Sequence, residues 1–257
     1  MKILKLTISL LVIAALIPAC KKNTIVPLPV NYTQSTTQAN IKIVYASAYT
    51  INYKVQLKAN DTRISGIITY STPFPGGGLN TGGGNYPDYL PIKPGSTKIG
   101  VSVPNYLTTA DSIALSTNTV NVDAGKFYTI YLSDTSANTK AMVVTEPKAP
   151  VVGDISRFKF INVMPNVPAI DLYFDGVLVA ASVAYQQASA DFNLIRGATG
   201  QWAIRAAGSL STSAPIAVYP SGVGKMTVPN KLNMAVYSRG YLGKTGNLIP
   251  AISLLYN

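Results

Sequence analysis

The chain has 257 residues, 47% hydrophobic and only 12% charged, which excludes a disordered protein and supplies enough chain for one large or two ordinary domains. It contains no histidine and one cysteine, which excludes Ser-His-Asp and Cys-His catalysis, imidazole zinc sites and an intramolecular disulfide. The net charge is +11, but the basic residues are scattered singly apart from Lys21-Lys22, so no nucleic-acid module is expected.

Taken in chain order, Lys2 and Lys5 precede an uncharged apolar run from Leu6 to Ile17. That run suits a signal-peptide core and falls short of the roughly 20 residues a spanning helix needs. Ile17-Pro18-Ala19-Cys20 follows and resembles the lipobox of bacterial lipoproteins. The resemblance implies that residues 1–19 are a signal peptide and that the Cys20 thiol carries the lipid that anchors the chain to a membrane. Losing Lys2 and Lys5 leaves 19 basic against 10 acidic residues, a charge of +9. Lys21 stands where an aspartate would retain the protein at the inner membrane, so the outer membrane is expected. No acidic stretch marks export to the surface, and the face occupied stays open. Residues 20–40, rich in Pro, Ser, Thr, Gln and Asn, read as a lipidated tether.

Strands are expected from there on. Ile41–Ala46 is short and β-rich, Tyr53–Lys58 alternates apolar and polar, and Arg63–Tyr70 follows the turn Asn60-Asp61. Ser71–Tyr89, with two triple-glycine runs, reads as a loop. Further strands are expected over Ser96–Val103, Ile113–Val122, Phe127–Ser133 and Lys140–Thr145. Glu146–Asp154, with two prolines and a glycine, is the junction. A second series follows: Arg157–Val163, Ile170–Phe174, Val177–Tyr185, Asp191–Ile195, Gln201–Ala207, Pro215–Tyr219, Lys231–Ser238 and Leu248–Tyr256. Asp175-Gly176 is the signal of a type I′ hairpin turn.

The halves parallel one another. Ile41-Lys42-Ile43-Val44 matches Phe158-Lys159-Phe160-Ile161, Leu90–Gly95 matches Asn193–Gly197, and Phe127–Tyr131 matches Asn233–Tyr237, with offsets that vary by the length of the glycine loop. The fold class is therefore all-β, with two tandem antiparallel β-sandwiches over residues 41–147 and 154–257. Ile170–Gly176, Leu194-Ile195-Arg196-Gly197 and Asp123–Thr129 resemble the domain-of-unknown-function family numbered 4397, common in exported Bacteroidetes lipoproteins. The first half departs from the pattern in having Lys58-Ala59-Asn60-Asp61 at the hairpin. The resemblance implies immunoglobulin-like sandwiches and brings no activity.

No catalytic residue, metal site or cofactor is expected. Acid–base chemistry would fall to nine aspartates, lysines, tyrosines and the one glutamate, Glu146. Gly243-Lys244-Thr245 reads as a hairpin turn and not a phosphate loop, since Ser238 stands where a glycine is needed. Asp171 and Asp175 lie too far apart along a strand to share an ion. Trp202 reads as core, and the strand tyrosines Tyr128 and Tyr131 as cross-strand packing. The place to look for a ligand is the glycine loop: Gly76, Gly77, Gly78, Gly82, Gly83 and Gly84, flanked by Phe74, Tyr86 and Tyr89. The expectation is a lipid-anchored envelope protein, not an enzyme, that binds a glycan or protein partner through loops at the sandwich ends. A spacer subunit of an outer-membrane complex is the alternative, and a glycan-active enzyme is disfavoured.

Overall fold

The computed structural model describes residues 36–257; the expected signal peptide, Cys20 and most of the tether lie outside the described residues. The first half contributes β1 (Ala39–Tyr45), β2 (Gln56–Ala59), β3 (Thr62–Arg63), β4 (Pro73–Phe74), β5 (Gly78–Leu79), β6 (Leu90–Ile92), β7 (Gly95–Pro104), β8 (Asp111–Val122), β9 (Phe127–Ser133) and β10 (Lys140–Glu146). The second contributes β11 (Ile155–Asn162), β12 (Ala169–Phe174), β13 (Val177–Ala184), β14 (Gln187–Ala188), β15 (Phe192–Ile195), β16 (Thr199–Gly200), β17 (Trp202–Ala206), β18 (Ala217–Tyr219), β19 (Met226–Thr227), β20 (Asn233–Arg239) and β21 (Ala251–Tyr256). The described residues contain no α-helix, only short 3-10 turns at Ser136–Asn138 and Gly246–Leu248.

The strands form an all-β architecture of two sandwiches. In the first, β10-β9-β1-β4, with β6 also on β1, faces β3-β2-β7-β8. In the second, β21-β20-β11-β14, with β15 also on β11, faces β13-β12-β17-β18. The strand order is the same, and so is the register: β1 runs parallel to β9 from Asn40–Phe127 to Tyr45–Leu132, and β11 to β20 from Arg157–Asn233 to Asn162–Ser238. These parallel pairs depart from the purely antiparallel expectation. They arise because the first strand of each half meets a late one, after the chain has passed through the opposite sheet.

Alternation along β1 explains its composition. Ala39, Ile41, Ile43 and Tyr45 enter the first core, while Lys42 and Val44 point to the other face, and every residue of the strand is buried. That other face is covered because the two sandwiches pack back to back. Val44, Tyr131 and Val144 meet Ile161, Ala235, Tyr237 and Leu255 in a third apolar cluster. Equivalent tyrosines meet at its centre, with the Tyr131 and Tyr237 rings 5.5 Å apart. The second core is built on Trp202, fully buried among Phe158, Phe174 and Phe192.

Local chemistry sets the details. Asp175 (φ 47°) and Gly176 (φ 81°) form the left-handed pair that a type I′ turn requires. Asn60 (φ 48°) and Asp61 (φ 64°) make the same turn in the first half without a glycine. The expected strand Arg63–Tyr70 shrinks to β3 plus one bridge, Val55–Ile68. There the Ser65 hydroxyl accepts the Leu57 N–H at 2.8 Å, taking a donor from the ladder. Asp171 is buried and accepts the backbone N–H groups of Ser182 (2.6 Å) and Gly208 (2.9 Å), so it holds a strand irregularity together.

Candidate functional site

The glycine-rich segment lies across both sandwiches and does not stand off one end. Sixteen residues separate Pro73 from Leu90, the partners of Val44 and Ile41, whereas three separate Ala188 from Phe192, the partners of the equivalent Ile161 and Phe158. The extra residues carry β5 over to the second sandwich, where Gly78 and Leu79 pair with Leu255 and Leu254 at the edge of β21. The close approach requires glycine: a Cβ on Gly78 would lie 1.8 Å from the Leu254 carbonyl oxygen, and one on Gly77 1.9 Å from that of Gly84. Asn80 fastens the end of this strap by donating to the Ile252 carbonyl at 2.6 Å and accepting the Ser253 hydroxyl at 2.6 Å. Gly76, Gly82 and Gly83 meet neighbouring atoms of the same segment in the same way, and Gly84 lies beside the Tyr86 ring. Of the flanking rings, Phe74 packs on the first core, Tyr86 is exposed, and Tyr89 is buried with its ring edge-on to Phe127 at 4.9 Å.

Tyr89 leads to a cleft where the seam between the sandwiches opens, at the end where β1 and β11 begin. Its volume is about 320 Å³, and it is lined by Asn40, Asp88, Tyr89, Phe127, Glu146 and Lys148 of the first half and by Asn233 and Asn257 of the second. Register makes several of these structural counterparts. Phe127 and Asn233 occupy the same position of their half, and Glu146, opposite Phe127, corresponds to Asn257 beside Asn233. Lys42 and Lys159 correspond likewise.

Behind the cleft, Lys42 is fully buried. Its ammonium donates to the Tyr256 carbonyl and to Asn257 Oδ1 at 3.3 Å, and stands 4.4 Å from the centre of the Tyr89 ring. Burial pulls its pKa down to about 7, against the opposing attraction of Glu146 and Asp88. The Glu146 carboxyl is also buried, and burial raises its pKa against the pull of Thr129, Lys159 and Lys42. Its Oε1 has no hydrogen-bond partner, and the Thr129 hydroxyl lies against the carboxyl without reaching hydrogen-bonding geometry. Lys159, the counterpart of Lys42, pairs instead with Asp191 at 3.4 Å. Glu146 is the one glutamate of the chain. The sequence carried no signal that it would face a second domain, because the contact joins strands far apart in the chain.

A second concavity, of about 410 Å³, lies at the opposite end of the first sandwich, under the β7–β8 hairpin. Ile67, Val103, Pro104, Tyr106 and Leu107 line it, with Lys54 and Arg63 at its margin. The base of the hairpin is held by Asp111, which pairs with Lys58 at 2.6 Å and accepts from Ser102 (2.5 Å) and Gln56 (3.0 Å). The Lys58 bond, then the Ser102 bond, lowers the Asp111 pKa.

Among the described residues no three His, Cys, Asp or Glu side chains are grouped to hold a metal ion, and no helix is long and apolar enough to cross a membrane. The fold is that of a double β-sandwich protein. The model of the domain of unknown function DUF4397 matches residues 39–173, more than half of the chain, and the protein belongs to that family. The match begins with β1 and runs across the junction into β12. No curated protein matches the chain.

Proposed function

We propose that this is a lipid-anchored, non-catalytic protein of the bacterial cell envelope, held at the outer membrane through Cys20, that docks a protein partner on the far end of its first sandwich. On this reading the second sandwich is a second copy of the same domain, supported by its identical strand order. The absence of histidine supports a binding role over catalysis.

The observation that carries the reading is the groove under the β7–β8 hairpin. Tyr106 is 89% exposed at its lip, with Ile67 and Leu107 beside it, and contiguous exposed apolar side chains mark interaction sites. Lys54 and Arg63 at the margin favour a segment that pairs an apolar side chain with a neighbouring carboxylate. The tether joins the fold at Ala39, beside Ile92 and the start of β7, so the groove at the other end of β7 faces away from the anchor.

The test is a photo-crosslinking residue at position 106 in intact cells, with position 177 of the second sandwich as the comparison. One discrete adduct with another envelope protein is expected from 106 and none from 177. Cys20→Ala is expected to abolish both fatty-acid labelling and the adduct. No adduct from 106, or the same adducts from both positions, would overturn the reading. The closely packed seam favours a rigid spacer as the alternative, and a spacer gives no adduct at either position.

A further inference from the structure

The two ends of the molecule carry different chemistry. The hairpin groove lies at one, and at the other β1 and β11 begin and the tether joins. Backbone and side-chain bonds gather the turns of the second sandwich at this tether end. The Lys231 N–H donates to the Ile155 carbonyl at 2.9 Å, and the Gly197 N–H to that of Val228 at 3.0 Å. The Asp175 N–H reaches the Gln201 carbonyl at 2.9 Å, and the Gln201 amide donates to the Pro220 and Gly222 carbonyls. Ile195 stands opposite Ile155, the first residue of β11, and the junction carrying Val152 closes the same end between β10 and β11.

Aliphatic side chains protrude from these separate turns. Val223 is wholly exposed, and Val152, Ile195 and Val177 are 82%, 70% and 65% exposed. None of them lines the seam cleft or the hairpin groove. Apolar tips without a pocket between them give a rigid partner nothing to anchor in, whereas a fluid lipid boundary closes around each one.

Charge selects the kind of surface. The exposed carboxylates of these turns, Asp123, Asp154 and Asp175, are matched by Lys126, Arg196 and Lys225. Lys93 in the turn before β7, Lys148 in the junction and Lys231 before β20 are exposed at the same end, and among the described residues none of the three forms an ion pair. The surplus at this end is therefore positive, and Lys21 and Lys22 beside Cys20 add to it. Basic groups next to apolar tips suit anionic headgroups and the acyl boundary beneath them.

The chain also enters here. Thr36, the first described residue, lies against Gly125 in the turn before β9. Residues 20–35 lead back to the anchor, and sixteen residues span at most about 55 Å. A lipid on Cys20 thus keeps this end close to the bilayer, where weak contacts gain from high effective concentration.

We propose that the tether end of the second sandwich rests on the anionic bilayer that carries the Cys20 anchor, with Val177, Ile195 and Val223 entering the headgroup boundary and Lys93, Lys148 and Lys231 meeting lipid phosphates. Resting on the anchored reading above, this seat also directs the hairpin groove away from the membrane.

The test uses the full-length lipidated protein in vesicles of phosphatidylethanolamine and phosphatidylglycerol. An environment-sensitive fluorophore is placed on Val223→Cys, on Ile195→Cys or on Tyr106→Cys. Lipids brominated along the acyl chain are expected to quench it at least twofold at 223 and 195 and not at 106. Replacing phosphatidylglycerol by phosphatidylcholine is expected to halve the quenching at least. Absence of quenching at 223 or 195, equal quenching at 106, or quenching indifferent to the anionic lipid would overturn the proposal. The mass of the purified protein reports the acyl chains on Cys20. Their absence would overturn the anchored reading and the seat with it, whereas an acylated protein without quenching would overturn the seat alone.

Discussion

The two sandwiches share a strand order and a register, yet they spend their equivalent positions differently. At the seam the first half presents Lys42, Thr129 and Glu146 where the second presents Lys159, Ala235 and Asn257. Lys42 is wholly buried and bonds across the seam, while Lys159 remains paired with Asp191 within its own half. Between the strands that flank β1 the first half carries the long glycine strap, and the second makes a short turn. The two halves thus form one asymmetric body: one half supplies the strap and the buried charges, and the other receives them.

The strap gives the sharpest way to break the comparison. Gly78→Ala puts a methyl group against the Leu254 carbonyl, so β5 must leave β21. A loss of about 3 kcal/mol is expected by denaturant unfolding. Amide exchange at Leu254 and Leu255 is expected to quicken, while a Gly176→Ala change in the hairpin of the second half leaves their exchange unaltered.

The seam lysine gives a pH-dependent effect, at most about 1.4 kcal/mol for each pH unit. Lys42 has a folded pKa of about 7 against an ordinary value of 10.5. Between these values the unfolded chain holds the extra proton, so this group makes stability rise with pH across that window. Below pH 7 both states are protonated, and the full cost of a buried ammonium is present. Lys42→Met is expected to remove this rise, about 1.4 kcal/mol per pH unit between the two values. The measurement is wild-type stability minus variant stability from pH 6 to pH 10. A difference that stays flat would mean that Lys42 reaches water.

The smallest effect concerns the central tyrosine pair. The Tyr131 and Tyr237 hydroxyls are buried without hydrogen-bond partners. Tyr131→Phe is expected to change stability by less than about 1 kcal/mol, and toward greater stability, since it removes an unsatisfied polar group and keeps the ring contact. A loss well beyond that would show that the hydroxyl bonds to a group that rearranges at the seam.

Much of the fold could be read from the chain. Alternation in Tyr53–Lys58, the Asp175-Gly176 turn and the parallel between Phe127–Tyr131 and Asn233–Tyr237 are local or repeated signals, and the strands and their order follow from them. The core role of Trp202 was also visible, as an aromatic alternating with Ile204. The site was less legible. The glycine runs marked an unusual segment, but its partner, β21, lies far along the chain, and a run of glycines looks alike whether it is mobile or closely packed. Lys42 reads as the exposed polar position of an amphipathic strand, and only the second sandwich makes it buried.

The sequence by itself determined the all-β class and the strand periodicity, because both rest on side-chain alternation and turn chemistry within a few residues. Only the tertiary structure decided that the two sandwiches pack back to back, that the glycine strap crosses between them, and that Glu146 is buried unpaired at the mouth of their seam. Those outcomes depend on which sheet faces meet, and faces meet through contacts between residues more than a hundred positions apart, such as Lys42 with Tyr256 and Asn257.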